Sequence, residues 1–123
     1  MITKEQKIIN TAADKLPIKA LPERALLPNL KESFNDIDIK IDTVFEIYSM
    51  LDMGESGGVV CEIVPLNYDR AKAKAAFLCS ITHIRIKVGE PHFELLNDYR
   101  TKRIKKLAQQ NTRPGWRNMP PRR

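Results

Sequence analysis

The clearest pattern in the chain is an alternation over residues 77–88. Ser80, Thr82, Ile84, Ile86 and Val88 share one side, and Cys79, Ile81, His83, Arg85 and Lys87 share the other. A period of two is that of a β-strand, with Ile84 and Ile86 expected inward and Arg85 and Lys87 outward. Upstream, residues 59–64 are rich in β-branched side chains, follow Gly57 and Gly58, and stop at Pro65, which predicts a short buried strand. Ile37, Ile39 and Ile41 alternate with Asp36, Asp38 and Lys40 and predict a third strand over 36–41.

Helical spacing governs other stretches. Thr3 with Gln6 forms a capping box before Ile8, Ile9, Ala12 and Ala13, so a helix is expected over 4–14, its narrow apolar stripe implying loose docking. Val44, Ile47, Tyr48 and Leu51, with a capping box at Thr43 and Glu46 and a stop at Gly54, predict a helix over 42–53 that could begin as early as Asn35. Ala-rich residues 67–76 favour a short connecting helix. Pro91 at a first helical position, followed by Phe93, Leu96, Tyr99, Ile104 and Leu107, predicts a long amphipathic helix over 91–109.

Pro17, Pro22 and Pro28 break helices over 16–30, yet Leu16, Ile18, Leu21, Leu26, Leu27 and Leu30 are too apolar for a free linker. An extended arm lying on this domain or on a partner is expected. Residues 112–123 read as a tail, and no internal repeat is present. The resulting expectation is an α+β fold: a small antiparallel sheet of two to three strands, packed by two main amphipathic helices at 42–53 and 91–109. In domain terms the chain divides into a helix and arm (1–31), a single α+β domain (32–111) and a basic tail (112–123).

At 123 residues and 42% hydrophobic content, the chain suffices for one core without disulfides or metal. Its apolar runs are a few residues long, against about 20 for a membrane span. Lys4, Glu5, Gln6 and Lys7 stand where a secretory signal would need an apolar block, so the expected compartment is the cytoplasm. Cys61 and Cys79 are then expected as reduced, buried small hydrophobes.

The net charge of +6 is segregated rather than spread. Residues 1–31 carry +3, 32–69 carry −8, 70–88 carry +5 and 89–123 carry +6. From Tyr99 onward there are nine basic residues and no acid.

Candidate chemistry is sparse. Cys61, Cys79, His83 and His92 are zinc-ligand types, but gaps of 18, 4 and 9 residues lack the close pairing of structural sites. His83 could serve as base to either thiol, yet both cysteines lie in apolar strand patterns that keep a thiol inert. The glycines at 54, 57 and 58 read as a helix stop and tight turn, because a phosphate loop runs from strand into helix. Asp36, Asp38 and Asp42 lack the ligand order of a calcium loop. No catalytic set, cofactor or metal is expected.

The basic end is more informative. On the 91–109 helix, Lys102, Lys105 and Lys106 face away from the apolar stripe, whereas Arg100 and Arg103 project into it. Those two arginines call for internal pairing with the acidic middle of the chain or for phosphate. Arg113, Trp116, Arg117, Arg122 and Arg123 give the tail bidentate anion binders and one stacking side chain. Two non-enzymatic functions follow. The first is an accessory protein binding nucleic acid through the basic helix and tail. The second is an interaction or assembly subunit, homo-oligomeric or part of a larger complex, that docks on an acidic protein surface through its proline-rich arm, apolar helix face and tail.

Overall fold

Residues 45–52 form a strand, not the helix that their spacing predicts, and the sheet is built around it. The structure, a computed structural model, describes residues 2–69 and 77–111. Its elements are α1 (Lys4–Ala12), β1 (Ile18–Pro22), α2 (Leu27–Ser33), β2 (Phe45–Asp52), α3 (Gly54–Gly57), β3 (Val59–Pro65), β4 (Phe77–Ser80), β5 (Ile84–Ile86) and α4 (Phe93–Asn111). Of the residues whose spacing predicts a helix, only Ile47 is buried; Val44 and Tyr48 are half-buried and Leu51 is exposed. The β2 register against β3 shifts between Ile47 and Ser49, so that Phe45, Ile47 and Met50 are the residues turned inward. A bulge adds one residue to one strand and here makes a step of three between Ile47 and Met50.

The α+β class holds, but the sheet has five antiparallel strands among the described residues rather than two or three. Their order is β4-β3-β2-β1-β5. The proline-containing arm supplies β1, an inner strand paired with both β2 and β5, with Ile18, Ala20 and Pro22 buried. Pro28 falls at the start of α2, where a missing N–H costs nothing, so the arm also contains a helix. The strand expected over 36–41 is absent. Those residues form turns, Thr43 N–H donating to the Lys40 carbonyl, and only Ile39 among the three isoleucines is buried in the core.

The alternation over 77–88 is two strands, not one. After β4 the Ser80 hydroxyl accepts from the Thr82 N–H and caps a 3-10 turn over Ile81–His83. This turn changes which parity faces inward: Cys79 before it and Ile81 at its start are buried, then Ile84 and Ile86 after it, with Val88 left exposed. It also joins the two edge strands. Four strand spacings in a flat sheet amount to about 19 Å. The four Cα steps from Ser80 to Ile84 reach at most about 14 Å. The sheet is therefore curled, and Phe45, Ile47, Ile63, Ile18 and Ile84 fill its interior.

Both terminal helices pack on this body. Thr3 caps α1 by accepting from the Gln6 N–H at 3.0 Å, as the capping box predicts. Ile8 and Ala12 are buried, so α1 is seated firmly rather than loosely. α4 buries Leu96 and Tyr99. The connecting helix expected over 67–76 lies, beyond Asp69, outside the described residues, as does the tail. Ile84 is fully buried between the turn and Pro22. Ile84→Ala is expected to cost about 2–5 kcal/mol in urea unfolding, against under about 0.5 kcal/mol for the exposed Lys87→Ala.

Candidate functional site

The inner stripe of α4 ends in two arginines, and both are used internally. Arg100 Nε donates to the Ile84 carbonyl and its Nη2 to Glu23 Oε2. Glu23 Oε1 lies 3.3 Å from Arg85 Nε, within ion-pair range but not aligned for a hydrogen bond. Arg85 Nη2 also donates to the carbonyls of Pro22 and Ile41, at 3.1 and 3.3 Å. One glutamate at the end of β1 thus ties α4 and β5 together. It comes from outside the acidic 32–69 segment.

Arg103 is 7% exposed. Its Nη1 donates to the Glu55 carbonyl at 3.1 Å and its Nη2 to the Ser56 carbonyl at 2.6 Å. These are orphan carbonyls of the one-turn helix α3, which a cation at a helix C-terminus satisfies. The guanidinium lies flat over Gly58, whose φ is +69°; a β-carbon there would sit 2.4 Å from Arg103 Nε. The β2–β3 connection is therefore pinned to α4 by a side chain that only glycine admits.

Lys102, Lys105 and Lys106 are exposed, as their spacing predicts, and Lys102 and Lys106 share one groove with the buried Tyr99 and Arg103. Lys102 pairs with Asp98 one turn earlier at 3.1 Å, an exposed contact worth little. Across from them α1 presents Lys4 and Lys7. The two helices enclose a groove of about 380 Å³, with Lys4, Lys7, Lys102 and Lys106 on its rim. Ile8 and Leu95 supply apolar lining. Its buried polar pair is Glu5, 7% exposed, and Tyr99, whose hydroxyl donates to Glu5 Oε2 at 3.0 Å. Burial, then the bond to Glu5, pushes the Tyr99 phenol up to about 12, with Arg103 and the Val59 amide opposing.

Of the ten residues picked out from sequence, the structure places Lys102 and Lys106 on the groove, Lys105 beside it on α4, and Arg100 and Arg103 inside. Arg113, Trp116, Arg117, Arg122 and Arg123 lie outside the described residues. Lys4, Lys7, Glu5 and Tyr99 were not identified from sequence. The signal available was the i, i+3 pair Lys4 and Lys7 within a segment at +3, which meant little without knowing that α1 lies beside α4.

Cys61 and Cys79 stand opposite each other in the β3–β4 register, both buried and unbridged. Burial pushes Cys79 up to about 12 and Cys61 further still. His83 is exposed on the 3-10 turn. Among the described residues no group of three or more His, Cys, Asp or Glu side chains could hold a metal ion. Comparison with protein-family models, curated proteins and solved structures gives no match.

Two predictions follow from this geometry. Gly58→Ala is expected to lower unfolding stability by about 2–4 kcal/mol, combining positive φ with a clash against a pinned side chain. Gly54→Ala, at φ +79° but in open space, should cost only about 1 kcal/mol. The thiols ionise near 9.0 when unfolded and at about 12 or above when folded. Above pH 9 the unfolded chain has lost protons that the native state keeps, so stability falls as pH rises. Denaturation midpoints should decline from near pH 9 in the wild type. In Cys61→Ala/Cys79→Ala the decline should start near 10, where the Tyr99 phenol begins to contribute.

Proposed function

We propose that the protein binds nucleic acid through the phosphate backbone, using the ridge formed by α1 and α4. One observation carries this reading: Lys4 and Lys7 from one helix and Lys102 and Lys106 from the other converge on a single groove. Among the described residues these exposed lysines have no ion pair beyond the weak Lys102–Asp98 contact. Ammonium groups on both sides of a groove are suited to hold a phosphate backbone, releasing the counterions that the polyanion holds. The chain continues from α4 into a tail with Arg113, Arg117, Arg122, Arg123 and Trp116. That composition adds bidentate phosphate binders and one stacking ring to the chain. Arg100 and Arg103 act as anchors that hold α4 in place, Arg100 through Nε and Nη2 and Arg103 through its two Nη groups.

Affinity for a labelled single-stranded oligonucleotide, read by fluorescence anisotropy, should fall steeply with salt. Lys102→Glu/Lys106→Glu should weaken binding about tenfold at low salt and flatten the slope of log K against log salt by about 1 to 1.5. Lys4→Glu/Lys7→Glu should do the same, whereas Lys40→Glu, whose ammonium pairs with Asp38 in the loop before β2, should change little. Ending the chain after Gln110 should weaken binding and leave the fold intact. Binding that is absent at low salt, together with capture of a protein partner that survives nuclease and high salt, would replace this function with an adaptor role.

A further inference from the structure

The deep end of the α1–α4 groove carries chemistry that backbone binding does not use. Glu5 is 7% exposed, and Tyr99 is its sole side-chain partner among the described residues. Among the described residues nothing donates to its Oε1, and that atom keeps accessible surface, so it opens into the groove that Glu5 lines. A buried carboxylate with a reachable free oxygen selects what can enter. Arg103 lines the same groove, but its Nη groups are spent on the Glu55 and Ser56 carbonyls and its Nε is buried, so a phosphate or a carboxylate, which brings no donor, would leave the Glu5 oxygen unpaired. An acyl chain would cover the oxygen without donating to it, at the cost of an unpaired polar group. The occupant must offer hydrogen-bond donors at its deep end and negative charge at its outer end, where the lysines stand.

A nucleotide meets both demands. We infer that this groove seats the base of one nucleotide, guanine by preference, with Glu5 accepting from its Watson–Crick edge and the rim lysines holding the adjacent phosphates. The inference rests on the nucleic-acid reading above and adds a base preference to it. An ionised carboxylate only accepts, and it has about four lone-pair sites, so the bond from Tyr99 leaves room for more. Guanine presents N1–H and N2–H side by side, both donors. Adenine and cytosine present one donor beside a ring acceptor, and uracil places a single N–H between two carbonyls. The match therefore falls from guanine to uracil. The volume of about 380 Å³ lies near the small end of the range for ligand pockets, about 300–1,000 Å³. That is room for one unstacked base against Ile8 and Leu95, not for a duplex. A single strand can present such a base, as can a free mononucleotide.

The test uses the full chain and ten-nucleotide uridine strands in which one central position is G, inosine, C, A or U, with guanosine monophosphate titrated separately by calorimetry. At fixed moderate salt the G strand should bind about tenfold more tightly than the all-U strand, and inosine, which lacks the N2 amino group, should lose most of that gain. Glu5→Gln keeps an acceptor for Tyr99 and nearly the same shape. It should level the series while leaving the salt slope unchanged. Equal binding of all five strands with a steep salt slope would overturn the base site and leave the backbone function standing. Binding of the free nucleotide with no strand bound would uphold the base site and overturn the polymer function. No binding of either overturns both.

Discussion

Everything in this fold follows from how short the link between β4 and β5 is. One 3-10 turn, Ile81–His83, joins strands at opposite ends of the sheet order. A flat sheet cannot satisfy that link, so the sheet curls until its edges approach, and the curl creates the enclosed space that Phe45, Ile47 and Ile63 fill. The same turn is a main packing surface for α4, which also lies along β5. The position of the helix, and with it the orientation of its lysines, is thus set by a three-residue connection.

The basic residues of α4 divide by chemistry. Arginine goes inward and lysine outward. A guanidinium is planar and weakly hydrated, and it can serve several acceptors in one plane, which suits Arg100 between a carbonyl and Glu23 and Arg103 between two carbonyls. An ammonium is strongly hydrated and keeps its water on the rim. Counting charge along the chain treats both alike, whereas burial separates a structural pair from a surface set.

Much of the fold was legible where one local pattern governs one element. The capping box at Thr3 and the β-branched run of β3 lead directly to the observed elements, whereas Pro91 stands outside α4, which starts at Phe93 after a left-handed His92. Errors arose where a local irregularity altered the period. Around β2 the partly exposed Val44, Tyr48 and Leu51 complete a helical stripe with Ile47 while the bulge near Tyr48 moves the inward set to Phe45, Ile47 and Met50, and the 3-10 turn hid a change of parity inside an apparently continuous strand. Ile37, Ile39 and Ile41 alternate without any neighbour to pair with, because pairing is a property of two segments and not of one. The candidate site was half legible for the same reason. Lys102 and Lys106 stand out from the sequence of one helix, but Glu5, Lys4 and Lys7 acquire meaning only through the distant helix they face, and Glu5 stands 94 residues from Tyr99.

The place of β1 bears on how the chain reaches this state. Ile18, Lys19 and Ala20 pair with β2, while Ala20, Leu21 and Pro22 pair with β5. During synthesis from the N-terminus, β1 has one partner only after β2 emerges, and its other edge stays open until Ile84 to Ile86 have been made. Contacts of such sequence separation slow folding, because the loop must close before the pairing rewards it. Until then the nascent chain presents an unpaired strand edge with apolar residues on one face, a surface on which other chains can add. α4, translated last of the described elements, completes the body by bringing Arg100 to the Glu23 that β1 has held ready at its end.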